Sequence, residues 1–366
     1  MTAPQTHRPQ GLFELDPQAL EAKVVELGGR PFHARILRKE VLSKGILDAQ
    51  ELTSLPAALR AALPEALPLL VGHALDRRES RDGAIKLLTG FDQAGLRQSA
   101  IETVYMPSRK KNSTKGATVC VSTQAGCPVG CPFCASGIGG LIRNLKAHEI
   151  VEQFVRARAL GPISRCVVMG IGEPLLNLEA LQRALAIVRE GLELGARKVT
   201  VSSVGFPERI RRAAASDPRF DLAISLHTPF QEQRDELVPA MAGVPIDEIL
   251  SAGDDWFAAT GREVTYEYVL LGGTNDSEDH ARNLVDRLVG RRATVNLIPY
   301  NPSPELPFRR PNPTRVENFR ALLEEDGLVA TVRWSRGLEE SAACGQLRAQ
   351  GVAGETDPDL DSVSAT

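Results

Sequence analysis

The stretch Ala117–Gly137, ATVCVSTQAGCPVGCPFCASG, joins a β-branched alternating run to three cysteines, Cys127, Cys131 and Cys134, separated by three and then two residues. The run reads as a strand, and the cysteines fall in the loop that leaves it. A structural zinc site asks for four ligands, commonly as two C-x2-C pairs far apart in sequence. No second pair occurs in this chain. Cys166 lies inside an apolar run, where a free cysteine behaves as a small buried hydrophobe. His148 falls on a predicted helix, in a surface or capping role. Three thiolates on a Gly- and Pro-containing loop suit a cubane iron–sulfur cluster with one iron left open to a substrate or cofactor. A thiol redox loop is the plainer alternative.

From Thr118 onward, apolar runs alternate with helical periodicity. The strand candidates are ATVCVST, SRCVVMG, RKVTVSS, DLAISLH, VTYEYVLL and ATVNLIP. Between them lie KAHEIVEQFVRARAL, NLEALQRALAIVREGLEL, PERIRRAAAS, IDEILSAGDDWFAATG and EDHARNLVDRLVG, and the pair TRVENFRALLEEDG and VATVRWS closes the series. Six consecutive βα units predict an α/β protein with a parallel sheet, curled into a partial, TIM-like (βα)6 barrel with helices outside. A flat doubly wound sheet is the alternative. In either, chemistry collects at the carboxyl ends of the strands. Unusual polar residues recur there: the cysteine loop, GIGEP (Gly170–Pro174), Ser202 and Ser203, SLH (Ser225–His227) and YNP (Tyr300–Pro302).

Upstream, residues 12–75 read as short amphipathic helices forming an accessory module, with Asp16 as N-cap, Pro17 at the first helical position and Gly28 as a stop. GAIKLLTGF and QSAIETVYM, joined through Asp92–Gly95, read as a β-hairpin extension within residues 76–116, which end in the basic loop 108–116. The core then spans 117–348, with residues 1–11 and the acidic tail 349–366 expected to be disordered. Hydrophobic content of 43% and charged content of 24% are those of a globular protein with a sizeable core. The chain has no apolar run near the roughly 20 residues of a membrane span and no signal-peptide core, so the expectation is a cytoplasmic protein with no membrane partner. The run SRKKNSTKG and the Arg309–Arg310 pair are candidate basic contacts for nucleic acid, though most such runs are solvated loops.

The cysteine spacing, with Phe133 before the last cysteine and GIGEP one strand later, resembles the radical S-adenosylmethionine (SAM) superfamily. TVCVSTQAGCPVGCPFCASG, VVMGIGEPLLN, RKVTVSSVGFP, LAISLH, NLIPYNPSP and SAACGQL narrow it. They occur in the order and spacing of the RlmN/Cfr family, whose dual-specificity members methylate adenine carbon 2 in rRNA and tRNA. The resemblance covers about Asp16 to Leu347. It implies one 4Fe-4S cluster on Cys127, Cys131 and Cys134, and SAM, two molecules per turnover, held by Gly172, Glu173, Ser202, Ser225, Leu226, His227 and Asn301. It also implies that Cys344 carries the methyl group and that Cys120 forms a transient disulfide with it. Glu102 is implied as a general base, although by itself it reads as a solvent-facing strand glutamate. The implied partners are 23S rRNA, tRNA and a low-potential electron donor such as flavodoxin or ferredoxin, with the chain a monomer. A related branch of the family modifies adenine carbon 8 instead.

Overall fold

The computed structural model describes residues 8–91, 99–108 and 116–348. Three helices open the chain, α1 (Pro17–Glu26), α2 (Pro31–Lys44) and α3 (Ala57–Ala66). Asp16 caps α1 as expected, its side chain accepting the Ala19 N–H at 2.8 Å. Three antiparallel strands follow, β1 (His73–Glu79), β2 (Ile85–Gly90) and β3 (Ile101–Met106), and β3 pairs antiparallel with β4 (Ala117–Cys120). A two-stranded ribbon of β5 (Gln124–Gly126) and β6 (Leu141–Asn144) frames the cysteine loop.

The crossover series then runs α4 (Ala147–Leu160), β7 (Ile163–Val168), α5 (Leu178–Val188), β8 (Val199–Ser203), α6 (Pro207–Ala215) and β9 (Asp221–Ser225). It continues through α7 (Gln231–Leu237), α8 (Ile246–Thr260), β10 (Val264–Leu270), α9 (Glu278–Leu288), β11 (Ala293–Pro299), α10 (Pro313–Glu325) and β12 (Val329–Val332). The main sheet has the order β1-β2-β3-β4-β7-β8-β9-β10-β11-β12, parallel from β4 to β12. Every strand named from the sequence is present, and the six βα crossovers run along one sheet. β1 and β12 each pair with one neighbour, so the barrel is partial.

Three features differ from the sequence reading. β1 replaces what reads as the end of the helical module, because HALDRRE is a polar edge strand with little apolar alternation to mark it. The hairpin is thus a three-stranded extension, and through β3 it continues the main sheet. α7, a polar QEQRDEL segment, was not separated from the loop after β9. Third, the helical module shares one continuous apolar core with the barrel, from Leu20, Leu37 and Leu42 through Phe154 and Leu185 to Leu297. Arg38 on α2 pairs with Glu190 just beyond α5 at 2.9 Å. Within residues 1–11, Arg8 is ordered by a forked ion pair with Glu14 at 2.7 and 2.9 Å. Residues 1–7, the Asp92–Gly95 connection, most of the basic loop and the acidic tail lie outside the described residues. No helix among the described residues is long and apolar enough to cross a membrane.

Along β10, Val264, Tyr266, Tyr268 and Leu270 enter the core, and Thr265, Glu267 and Val269 alternate with them. Strand register sets Ser225, Glu267, Asn296 and Thr331 side by side across β9 to β12. Asn296 donates to Glu267 at 3.1 Å, and Thr331 donates to Asn296 at 3.2 Å. This polar row leads to the site.

Candidate active site

The cysteine loop leaves β5 at Gly126, whose φ is +71° and where a Cβ would lie 2.1 Å from the Gly140 carbonyl. Only glycine lets the ribbon close this tightly. Beyond it, the Cys127 N–H donates to Gly140 at 3.1 Å and the Cys134 N–H to Cys131 at 3.1 Å, which folds the three thiols over one cavity. Burial pushes Cys127 up to about 12, and Cys131 and Cys134 also rise through burial. Nearby thiols add to the rise at Cys127 and Cys131. Three half-buried thiols that resist ionisation unless a positive partner is present form a donor set that fits an iron–sulfur cluster. Among the described residues, no three metal-ligating side chains converge as the ligands of a single ion would.

Gly172, Glu173, Ser202, Ser225, His227 and Asn301 line the same cavity. Leu226 does not: it is fully buried in the apolar core and only its backbone N–H reaches across, to Glu267. Gln124 organises the GIGEP turn, its amide donating to Asn144 at 2.7 Å and its carbonyl accepting the Glu173 N–H at 2.7 Å. Glu173 is buried, with its carboxylate accepting the Leu175 and Val204 N–H groups at 3.0 and 2.9 Å. Burial outweighs those bonds and raises it to about 7. His227 is held by the Val269 N–H on Nδ1 at 3.2 Å and packs edge-on against Phe133. Burial, with Arg234 nearby, lowers it to about 3, so its ring is neutral. Ser202 and Ser225 hydroxyls meet at 3.3 Å.

Cys344 lies on the segment that closes this cavity. With Met169 and Leu347 it also lines a second, open cleft of about 580 Å³ that contains Cys120, Arg165, Arg333 and Trp334. Cys344 thus stands in the wall between the two. Burial raises Cys120 to about 11 and Cys344 to about 12, and the Arg333 cation pulls both back down. The segment is docked on the cysteine loop: the Ala135 N–H donates to Gly345 at 2.8 Å and the Ser136 hydroxyl to Leu347 at 2.6 Å. Asn301 donates to the Cys344 carbonyl at 2.9 Å.

Glu102 is a different case. It is 4% exposed, not solvent-facing, and it lines a separate cleft with Lys86 and Arg348 rather than either cavity that contains Cys344. Arg309 and Arg310 are not a free basic pair either. Arg309 donates to Gly272, and Arg310 donates to Tyr300 and to the Asn301 side chain. Sequence reasoning missed Arg333, Glu267 and Arg234. Arg333 and Glu267 were readable as polar residues within apolar strands; Arg234, fully buried on α7 and donating to Val204 at 2.6 Å, carries no such signal.

Residues 121–285 match the model of the radical SAM superfamily. A radical SAM methyltransferase from Sphaerobacter thermophilus superposes with a TM-score of 0.84 at 41% identity, covering 93% of this chain and all of that one. The fold and site therefore define a radical SAM enzyme. A probable dual-specificity RNA methyltransferase RlmN from Synechococcus sp. (strain CC9311) is 42% identical over 338 residues, 90% of this chain and 95% of the relative. Its counterpart from Rhodopirellula baltica is 41% identical over 88% of this chain and 86% of that relative. The chain belongs to the RlmN family of dual-specificity RNA methyltransferases.

Proposed function

We propose that the enzyme methylates carbon 2 of an adenosine in the peptidyl-transferase centre of 23S rRNA and of the adenosine 3′ of the anticodon in some tRNAs. The observation that carries this reading is the position of Cys344 in the wall between the cysteine-lined cavity and the cleft containing Cys120. Carbon 2 of adenine is electron-poor and does not attack a methyl sulfonium, so the methyl group needs a carrier. A thiolate is a strong nucleophile, and Arg333 favours that form of Cys344 against the burial that opposes it.

Cys127, Cys131 and Cys134 would hold the cluster, and Gly172, Glu173, Ser202, Ser225, His227 and Asn301, which line the same cavity, would surround SAM. Bound there, the pair supplies one electron and a hydrogen-abstracting 5′-deoxyadenosyl radical. Cys344 takes a methyl group from one SAM, becoming a thioether, and surrenders one hydrogen atom of that methyl in the second half-reaction. Two SAM molecules are thus used per turnover. The Cys344 methylene carbon bonds carbon 2; the ring is restored when one electron passes back to the cluster that Cys127, Cys131 and Cys134 would hold and the carbon-2 proton leaves to a base, the role the family resemblance gives Glu102, which would have to be reached from its separate cleft. The Cys120 thiolate then attacks the Cys344 sulfur. The carbon–sulfur bond breaks with its electron pair on carbon, a proton completes the methyl group, and a Cys120–Cys344 disulfide remains for reduction by a low-potential donor such as flavodoxin or ferredoxin.

The open cleft suits an extruded base. Its arginines can meet phosphate, and Trp334, 40% exposed, offers a stacking face. Reduced enzyme, SAM and 23S rRNA or tRNA should yield 2-methyladenosine in a nucleoside digest resolved by chromatography and mass spectrometry. The carbon-8 isomer, or no product from enzyme with an intact cluster, would overturn the reading. Cys344→Ala should lose product entirely, and Cys120→Ala should accumulate an RNA–protein adduct visible on a denaturing gel.

A further inference from the structure

The cavity shared by the cluster cysteines and Cys344 is about 140 Å³, below the roughly 300–1,000 Å³ of ordinary small-molecule sites. Cys344, Gly345 and Leu347 form part of its wall. Movement of residues 341–348 would widen this space, so what holds them becomes a functional question.

One ion pair touches the segment at both ends. Lys86 Nζ on β2 donates to the Ser341 carbonyl at 3.3 Å and pairs with Glu102 Oε1 on β3 at 2.9 Å. The other carboxylate oxygen, Glu102 Oε2, accepts the Arg348 N–H at 2.7 Å. The two side chains are only 11% and 5% exposed, so solvent does little to screen them. Just upstream, Asp82 in the β1–β2 turn accepts the Gly337 N–H at 3.1 Å, which fixes the approach to the segment on the same extension. Cys344 lies between the two anchored ends.

We propose that the Lys86–Glu102 pair is a latch on the segment that carries Cys344, and that Lys86 is a positioning residue for the reaction. The proposal rests on Cys344 being the methyl carrier. In the latched arrangement both Glu102 oxygens are engaged, and opening the segment enlarges the cavity and withdraws the Arg348 N–H from Glu102. The three-stranded extension thereby links cofactor entry to the hydrogen bonding of Glu102.

The test is hydrogen exchange by mass spectrometry on the full chain carrying its cluster, comparing the parent with Lys86→Met and Lys86→Arg. Loss of one charge-assisted anchor predicts roughly tenfold faster exchange in 341–348 for Lys86→Met. Iodoacetamide labelling of Cys344 should accelerate in parallel, and Lys86→Arg should restore most of the protection. Residues 101–106 serve as the internal control for folding, and Glu102→Gln, which keeps an acceptor but loses the ion pair, carries the test if Lys86→Met does not fold. Unchanged exchange and labelling in a folded variant would overturn the latch. Product formation by Cys344→Ala would instead overturn the carrier reading and leave the exchange result standing.

Discussion

Gly172 sits at φ +107°, and a Cβ there would lie 2.6 Å from Gln124 Cβ and 2.9 Å from its backbone nitrogen. Gly172→Ala adds both backbone strain, of order 1–3 kcal/mol, and a clash with the residue that holds the Glu173 backbone. The variant should bind SAM at least tenfold more weakly by calorimetry, with a lowered melting temperature; unchanged affinity would show that the turn tolerates a side chain. The requirement for glycine was readable in GIGEP, as were the cluster thiols in their spacing. The surroundings of Glu102 were not: a glutamate in AIETVYM has the alternation of an exposed position, and its burial comes from a segment some 240 residues later in the chain. Leu226 shows the opposite limit. It sits between two cavity residues, but strand alternation turns its side chain into the core.

The element that joins the module to the barrel is α4. Glu152 on its buried face accepts the Val71 and Gly72 N–H groups at 2.7 and 2.8 Å, and Arg156 donates to the Gly72 carbonyl at 2.5 Å. Burial raises Glu152 to about 7, above its ordinary 4.5. The folded state therefore holds this proton more tightly than the unfolded one, so its contribution is full below about 4.5 and is lost as pH rises through 7. Glu152→Gln should flatten the pH dependence of the melting temperature across that window, measured as the difference from the parent. An identical slope in both proteins would remove Glu152 as its source. KAHEIVEQFVRARAL announces this helix from its periodicity alone. That Glu152 and Arg156 face inward follows from the linker packed over them, which no local pattern encodes.

For the whole molecule, the helical module shares one continuous apolar core with the barrel, so the packing of the two is coupled. Leu42 is fully buried on α2, and Leu42→Ala should cost about 2–5 kcal/mol in chemical denaturation. Removing residues 8–72 should abolish the cooperative calorimetric transition. A truncated chain that melts near the parent temperature would contradict a shared core. By itself, the sequence determined the order of βα units, the cluster loop and the strand ends that bear polar residues, because hydrophobic period and ligand spacing are local properties of the chain. Tertiary structure alone decided that Cys344 divides two cavities and that Lys86 and Glu102 grip its segment. It also decided that Arg310 supports Asn301, since each of these contacts joins residues whose neighbourhood exists only once distant strands are in register.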